Sequence, residues 1–581
     1  MTDDDVTSRI SFRFSATGRR AACLATDESG RHRAESWRFQ GTGPVLDFSV
    51  ELRCDPTYTM ILPLDANRVL VSRHGAADTQ TLELLHRDGR CVDVGSVRGT
   101  PLRLLPAPAE CQCLALAWSG DGEADETTVH RVTAGTPWLR ELTRLPGPVR
   151  DAIACGPKVL FTVGETRFLV DARDGSAVPV PFLDGPTYML AAKGNHVLFA
   201  RRDTDGPALV LADLVKGTMK ELDPGSRLRG VAYPLALDPQ GTSIAVLETV
   251  GARSQLSRWD TVSDTVQRIA VPEGELLPLA AWTAAGLWLP HSGPRRPRTM
   301  AWVSPGSREL KVPAERPGPW RPGRVESFPG ADGPIEAVVY GPDWRSSPRV
   351  VVALHGGPTS HWTLGFSPLF QALAAAGIAV VAPNQRGSTG YGAAHTLSLV
   401  GAWGVPDLAD VSVIAAHIQD RRAGLARPGV FGISYGGYLA LLAAATRPEL
   451  WSDCVAVAPF LSGPRLHADG FGGVRNMVER LDGLTEATDA LGPRDVSRFA
   501  HDLRARLLLI HGARDESTPV AHSRSLVRQL AEFGRIEGTD YRYVESPDRG
   551  HAVLGTAVQD PITDLVTRFL GEPAAVAQEG R

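Results

Sequence analysis

The segment GISYGGY at residues 432–438 contains the pattern G-x-S-x-G with Ser434 at its centre. The apolar run GVFG precedes the serine, and the helix-forming run GGYLALLAAAT follows it. This order predicts a sharp strand-to-helix turn that presents a nucleophilic serine at the end of a sheet. Gly432 and Gly436 suit such a turn, because it leaves no room for a Cβ atom at either position.

A nucleophilic serine needs a general base, which in α/β hydrolases comes last in the chain order Ser, Asp or Glu, His. Among the histidines that follow Ser434, His551 lies late, in the loop SPDRGHAV. That loop follows the strand-like run DYRYVE and precedes a final helical pattern. We therefore predict His551 as the base. His511 precedes the carboxylate and lies at the end of a predicted strand, so we assign it a structural role.

The carboxylate that orients the base is predicted to be Asp515. It follows the apolar run ARLLLIHG, and active-site groups collect at the carboxyl ends of strands in such sheets. Asp548 and Glu516 remain alternatives, although Asp548 is only three residues from His551 on the same loop. The predicted catalytic triad is therefore Ser434, Asp515 and His551.

The oxyanion formed during acyl transfer needs two backbone N–H donors, one of them from the residue after the nucleophile. Tyr435 occupies that position. The run VVVALHGGP places an HGG sequence directly after an apolar strand upstream of the serine, and Gly357 is our candidate for the second donor.

Composition limits the other possibilities. The chain has 581 residues, of which 43% are hydrophobic and 22% charged, with a net charge of -4. These values are typical of a globular protein with at least two domains and give no electrostatic reason to expect a nucleic-acid or membrane partner. The acidic start MTDDDVTSRI has no apolar core of a signal peptide, and no apolar run approaches 18 residues, so a cytoplasmic location is expected.

The seven cysteines are scattered and contain no C-x-x-C pattern. Free buried thiols are therefore expected rather than disulfides or a zinc site. We predict no cofactor and no metal.

The first 315 residues alternate short β-rich runs with turns. A turn followed by an apolar run recurs seven times, and the starts of these runs are 37 to 48 residues apart, which is the length of a four-stranded propeller blade. The repeat predicts a seven-bladed β-propeller, with a pair of β-sandwiches or a β-solenoid as alternatives. The runs begin at Ala16, Leu64, Ala109, Cys155, Ala192, Asp238 and Trp282.

From about Val325 onward, apolar runs of strand length alternate with helical patterns such as PDLADVSVIAAHIQD. This alternation predicts an α/β-hydrolase fold, a doubly wound and mostly parallel sheet. The stretch PAERPGPWRPGR at 313–324 is rich in proline and arginine and is typical of a linker. The predicted division is a propeller at 1–315 that controls substrate access, a linker at 316–324 and a catalytic domain at 325–581.

Together with HGGP and GISYGGY, the segments NQRGSTGYG at 384–392 and AWGVPDLADV at 402–411 resemble the prolyl oligopeptidase family of serine peptidases. Length and HGGP make the chain most similar to the acylaminoacyl-peptidase branch. The resemblance implies a propeller followed by an α/β hydrolase, oxyanion donors at Gly357 and Tyr435, and a propeller that restricts access to small peptides.

The chain departs from that family at two points. Dipeptidyl-aminopeptidase members hold the substrate amine with two adjacent glutamates, whereas this sequence contains no Glu-Glu pair. Several members bind a substrate carbonyl through an arginine or asparagine two residues after the catalytic aspartate, where this chain has Ser517. A serine hydroxyl cannot supply the forked, charged donors of an arginine.

The predicted function is a serine peptidase that cleaves short or N-acylated peptides through an acyl-enzyme. An acyl transferase, a macrocyclase or an esterase would use the same acyl-enzyme with a different acceptor or substrate, so a peptide or an acyl small molecule is the expected partner. An inactive binding scaffold is a third alternative. Exposed sheet edges could pair with a second copy and form a homodimer.

Overall fold

The computed structural model describes residues 6–572, apart from 55–58, 76–78, 107–111, 121–124, 134, 136–137, 184–186, 204–205, 224–230, 314–317, 486, 488 and 556. In this part of the chain, the N-terminal half forms seven separate antiparallel sheets and the C-terminal half forms one eight-stranded sheet. The predicted fold class is confirmed.

Each of the seven sheets contains four strands that follow one another in the sequence. Their bounds are β1 (Val6–Phe14), β2 (Arg20–Asp27), β3 (His32–Gln40) and β4 (Gly43–Glu51); β5 (Thr59–Pro63), β6 (Arg68–Gly75), β7 (Thr79–His86) and β8 (Cys91–Arg98); β9 (Thr100–Pro106), β10 (Gln112–Gly120), β11 (Asp125–Thr133) and β12 (Leu139–Pro146); β13 (Val149–Cys155), β14 (Lys158–Val163), β15 (Thr166–Asp171) and β16 (Ala177–Pro179); β17 (Thr187–Lys193), β18 (His196–Asp203), β19 (Gly206–Asp213) and β20 (Thr218–Leu222); β21 (Val231–Leu237), β22 (Ser243–Val250), β23 (Arg253–Asp260) and β24 (Thr265–Ile269); β25 (Glu275–Leu276), β26 (Ala281–Thr283), β27 (Gly286–Gly293) and β28 (Arg296–Val303).

The repeated apolar runs of the sequence fall once in each sheet. They lie on the second strand of the first six sheets and on β27 of the seventh, together with the turn that leads into that strand. The start of the third run, at residues 109–111, lies outside the described residues. In the seventh sheet, β25 and β26 share one edge of β27, and β28 pairs with the other edge. That blade therefore has an interrupted strand in place of one continuous strand.

Apolar side chains fill the space between neighbouring blades. Leu116 and Phe161, for example, belong to one buried cluster that joins the third and fourth blades. The ring closes where Phe39 of the first blade stacks on Trp288 of the seventh, with ring centroids 4.6 Å apart. Because each blade buries one face against the next, the repeat needs all its neighbours to complete its core.

The C-terminal sheet has the strand order β29-β30-β32-β31-β33-β34-β35-β36. Strands β29 and β30 pair in antiparallel fashion, β30 and β32 likewise, and the remaining neighbours are parallel. The strands are β29 (Gly323–Gly330), β30 (Gly333–Tyr340), β31 (Val350–Leu354), β32 (Ala379–Pro383), β33 (Gly429–Ile433), β34 (Asp453–Val457), β35 (Arg506–Gly512) and β36 (Tyr541–Ser546).

Helices cover both faces of this sheet, which explains why its central strands are continuous apolar runs. The helices are α1 (Pro368–Ala375), α2 (Ala393–Leu397), α3 (Pro406–Asp420), α4 (Tyr435–Thr446), α5 (Gly463–Asp469), α6 (Gly472–Arg480), α7 (Val496–Phe499), α8 (Ala521–Glu532) and α9 (Pro561–Gly571), with short 3-10 turns at Pro181–Leu183, Pro448–Leu450 and Ala500–Asp502. Among the residues described, none of these helices is long and apolar enough to cross a membrane.

The eight-stranded sheet begins at Gly323, at the end of the linker predicted from the sequence. Part of that linker, residues 316–317, lies outside the described residues, as does residue 315, the predicted end of the propeller domain. The domain boundaries therefore stay a prediction.

The propeller contacts the carboxyl-end side of the C-terminal sheet. In the sixth blade, the Gly251 amide donates to the Gly390 carbonyl oxygen at 2.9 Å, and the Ala252 carbonyl oxygen accepts from the Leu364 amide at 2.9 Å. In the seventh, the Ser292 hydroxyl accepts from the Phe366 amide at 3.1 Å. These partners lie on the loops after β31 and β32, so the propeller lies over the edge at which the predicted site residues emerge.

Candidate active site

Ser434 lies between β33 and α4 with φ 56° and ψ -119°. A non-glycine residue in this region is strained by about 1–3 kcal/mol and persists only where the surroundings hold it. The Ser434 amide donates to the Val457 carbonyl oxygen at 2.8 Å, and the Ser434 carbonyl oxygen accepts from the Tyr438 amide at 3.0 Å. The serine is therefore fixed by its backbone to the adjacent strand and to the first turn of α4.

The glycines around Ser434 are required by close backbone approaches. A Cβ on Gly432 would lie 1.9 Å from the Gly436 carbonyl oxygen. A Cβ on Gly436 would lie 2.3 Å from the carbonyl oxygen of Leu354, the last residue of β31. The turn can pack against the neighbouring strand only if both positions lack a side chain, as the sequence predicts.

His551 and Asp515 lie in contact. The His551 Nδ1 atom is 2.7 Å from Asp515 Oδ2, and the His551 side chain is 32% exposed whereas that of Asp515 is buried. The Nδ1–H group donates to the carboxylate, which leaves Nε2 as the ring atom available to accept a proton.

The second oxygen of Asp515 is bound by the backbone of its own turn. Asp515 Oδ1 accepts from the Ser517 amide at 2.9 Å and from the Thr518 amide at 2.8 Å. The Thr518 hydroxyl lies 2.9 Å from Asp515 Oδ2 and 3.0 Å from His551 Nδ1. These contacts fix the plane of the carboxylate, and they give Ser517 a role that uses its backbone amide and is independent of its side chain.

Burial alone would raise the pKa of Asp515, but hydrogen bonds from His511 and His551 and the electrostatic interaction with the His551 ring outweigh it. Together with the Thr518 amide they hold the pKa of Asp515 well below its usual range. The carboxylate is therefore ionised at neutral pH.

His511 is fully buried next to the same carboxylate. Its Nε2 atom lies 2.7 Å from the Thr518 carbonyl oxygen and 3.4 Å from Asp515 Oδ2, and its Nδ1 atom lies 2.7 Å from the Ser523 hydroxyl. An Nε2–H group can donate to the carbonyl and face the carboxylate at the same time. His511 thus helps to hold the turn that carries Asp515, which fits the structural role predicted for it.

The HGG loop after β31 lies beside the serine. A Cβ on Gly356 would be 3.4 Å from Ser434 Cβ, so this backbone and the nucleophile are neighbours. Gly357 has φ 125°, a conformation that favours glycine, and a Cβ there would approach the Thr359 amide nitrogen to 2.8 Å. The buried His355 ring reaches the Ser388 hydroxyl at 2.7 Å and ties this loop to the segment NQRGSTGYG.

Tyr435, the first residue of α4, has a fully buried side chain. Its hydroxyl donates to Asp407 Oδ2 at 2.7 Å and accepts from the Gly404 amide at 3.2 Å. Burial raises the pKa of Asp407 to about 7, although the Tyr435 hydrogen bond opposes this shift.

The alternative carboxylates do not approach the histidine in this way. Asp548 is 82% exposed and pairs with Arg514 at 3.1 Å, and Glu516 is exposed.

Trp403 and Phe460, two aromatic residues after β32 and β34, are buried in the core of the α/β fold.

The sequence did not single out Asp407, and it gave no role to Thr518. The signals available were a carboxylate and a hydroxyl residue inside recognisable segments, PDLADV and RDESTPV. Neither segment shows which buried group the side chain contacts. Asp407 contacts Tyr435 on another helix, and Thr518 contacts His551 on another loop.

A seven-bladed propeller combined with an α/β-hydrolase sheet, and a serine on a strand-to-helix elbow, define the class of two-part α/β hydrolases. Residues 364–575 match the prolyl oligopeptidase family. The matched residues include Ser434, Asp515 and His551.

Two curated relatives each match about a third of the chain. One is the uncharacterized peptidase YuxL of Bacillus subtilis, 28% identical over 211 residues, or 36% of this chain and 31% of that protein. The other is the acylamino-acid-releasing enzyme of Mus musculus, 33% identical over 191 residues, or 30% of this chain and 24% of that protein. The aligned region thus spans less than a third of either relative.

The fold likeness extends over the whole chain. The uncomplexed acylaminoacyl peptidase of Pyrococcus horikoshii superposes with a TM-score of 0.75 at 16% identity, covering 99% of this chain and 97% of that one. At this level of identity the likeness establishes the shared architecture of propeller and hydrolase.

Proposed function

We propose that the protein is a serine peptidase that cleaves short or N-acylated peptides through an acyl-enzyme on Ser434. The observation that carries the proposal is the 2.7 Å contact between His551 and Asp515 at the sheet edge where Ser434 occupies a strained elbow. In this proposal His551 Nε2 takes the proton of the Ser434 hydroxyl as the serine attacks the carbonyl carbon. The same nitrogen then protonates the leaving amine.

Asp515 holds the His551 ring in the tautomer with hydrogen on Nδ1 and stabilises the imidazolium that forms. The amides of Gly357 and Tyr435 bind the oxyanion of the tetrahedral intermediate. Water then attacks the acyl-enzyme, with His551 as general base, and releases the acid. The similarity to acylamino-acid-releasing enzymes supports acylated peptides as the substrate class.

The triad is tested with a fluorophosphonate probe, which labels an activated serine without requiring the natural substrate. We expect wild type to be labelled, Ser434→Ala to remain unlabelled, and Ser307→Ala, in an exposed propeller turn, to be labelled like wild type. Failure of wild type to react, or equal labelling of Ser434→Ala, would contradict the assignment.

The substrate class and the reaction type are tested together. We expect acetylated peptides to be cleaved faster than free-amine peptides and simple esters in a substrate library. With a competing amine present, water should remain the dominant acceptor. Aminolysis that exceeds hydrolysis at low amine concentration would point instead to an acyl transferase or macrocyclase.

A further inference from the structure

The ring of Tyr435 is enclosed by aromatic residues of the α/β fold. It packs edge-on against Trp403, with centroids 5.5 Å apart, and lies 5.5 Å from the Tyr438 ring and 6.1 Å from that of Phe460. The side chain of Tyr435 is 1% exposed. It cannot reach substrate, so the ring acts on the site only through the position it gives to its own backbone.

Asp407 is the fixed partner of that ring. It is the second residue of α3, is completely buried, and its Oδ1 atom accepts from the Leu408 amide at 2.9 Å. The first turn of a helix favours a carboxylate because its amide groups have no helical acceptors. The first turn of α3 therefore stabilises the Asp407 carboxylate independently of the contact with Tyr435.

Helix α3 is itself held in place close to Asp407. Asp410, one turn later, is buried and accepts from Arg386 Nε at 3.0 Å and from the Ala331 amide at 2.9 Å. The start of α3 is therefore tied to the loop after β32 and to the turn between β29 and β30. A side chain bound to Asp407 is bound to a rigid part of the fold.

We propose that Asp407 is a positioning residue for the oxyanion hole. By holding the Tyr435 hydroxyl at 2.7 Å, it fixes the first residue of α4 and so sets the direction of the Tyr435 N–H next to the nucleophile. The strained conformation of Ser434 favours relaxation of this turn, and the anchored ring opposes it. The inference rests on the proposed function, because it assigns the Tyr435 amide to the oxyanion.

The chain offers a matched control for this contact. Tyr438 lies on the same helix, is also 1% exposed, belongs to the same aromatic cluster, and donates from its hydroxyl to the Arg494 carbonyl oxygen at 3.0 Å. Tyr435→Phe and Tyr438→Phe each remove one buried hydroxyl while keeping the ring. They should destabilise the fold to a similar degree, but only Tyr435→Phe breaks the link to Asp407.

The experiment measures kcat and KM for p-nitrophenyl butyrate, and Ki for a trifluoromethyl ketone whose adduct on a serine carries an oxyanion. An error of about 1 Å in a catalytic group costs on the order of 10²-fold in rate. We expect Tyr435→Phe to lower kcat about 10-fold to 100-fold, with KM changed by less than about 3-fold, and to raise Ki by a similar factor. Tyr438→Phe should leave all three within about 2-fold of wild type.

A second comparison joins Asp407→Ala and Tyr435→Phe in one double variant. If the two residues act through one hydrogen bond, the double variant should lose no more kcat than the worse single variant. Equal kcat losses in Tyr435→Phe and Tyr438→Phe, or an unchanged Ki in folded Tyr435→Phe, would overturn the inference. If wild type fails to turn over substrate or to react with fluorophosphonate, the proposed function itself fails, which is a different result.

Discussion

Replacing Asp515 by asparagine tests how the carboxylate acts on His551. Asparagine is nearly isosteric, and its side-chain oxygen can keep the two amide donors of Ser517 and Thr518, at 2.9 and 2.8 Å. Its NH₂ group then faces His551 Nδ1, where Asp515 Oδ2 lies at 2.7 Å in the native protein. Because an NH₂ group cannot accept, the imidazole must turn its lone pair toward it and carry its hydrogen on Nε2.

The imidazole is then protonated at the atom that has to accept the Ser434 proton. The equivalent change in other Ser-His-Asp triads lowers turnover by about 10⁴-fold, which corresponds to about 5 kcal/mol of transition-state stabilisation. We expect a loss of this size in kcat and in the rate of fluorophosphonate labelling. The loss in folding stability should be smaller, about 1–3 kcal/mol, because charge-assisted hydrogen bonds are replaced or lost without opening a cavity.

The matched control is Asp548→Asn, three residues from His551 on the same loop. Asp548 is 82% exposed and bound to Arg514, so we expect labelling within about 2-fold of wild type and unchanged thermal unfolding. Circular dichroism confirms that each variant is folded before the rates are compared. If Asp515→Asn reacts within about 10-fold of wild type while Asp548→Asn loses its reactivity, the carboxylate has been assigned to the wrong residue.

Three further predictions concern the elbow and its titrating groups. Gly432→Ala should destabilise the protein by at least about 3 kcal/mol in urea unfolding, because its Cβ would lie 1.9 Å from the Gly436 carbonyl oxygen. The control Gly472→Ala, whose Cβ meets nothing within 4 Å, should change stability by less than about 0.5 kcal/mol. Similar losses of stability in the two variants would contradict this reasoning. Since the pKa of Asp407 is raised to about 7 in the folded protein, the folded state binds a proton that the unfolded chain has already released, and stability falls as pH rises from about 4 to 7. Between pH 5 and 7 this loss should be about 2 kcal/mol larger in wild type than in Asp407→Asn, and parallel curves would show that the carboxyl is not perturbed. Finally, kcat/KM should rise from acidic toward neutral pH, because His551 acts as a base only in its neutral form, and a flat profile from pH 5 to 8 would argue against that role.

The propeller and the hydrolase sheet could be predicted because their signals are local. Each blade is built from strands that follow one another in the chain, so a turn and an apolar run repeated seven times were sufficient to count the blades. The elbow is local in the same way, since its strand, serine and helix are contiguous. Helix α3 begins at Pro406 and ends at Asp420, the bounds of the pattern seen in the sequence.

The interrupted strand of the seventh blade was not predicted. The segment between Glu275 and Thr283 forms two short strands on one edge of β27, and nothing in its composition distinguishes it from the continuous strands of other blades. The interruption depends on contacts with neighbouring elements, and the spacing of the sequence repeat gives no information about those contacts.

By itself, the sequence determined which residue types could do chemistry and in which order they follow along the chain, because the elbow and the strand ends have contiguous signatures. The tertiary structure alone decided which carboxylate meets the histidine, since Asp515, Glu516 and Asp548 differ in the direction and burial of their side chains rather than in residue type or order. It also decided what holds the ring of Tyr435, because Asp407 is 28 residues away in sequence and reaches the elbow only when α3 and α4 pack side by side. Contacts of this kind depend on the packing of whole elements, and that packing is set by the complete core.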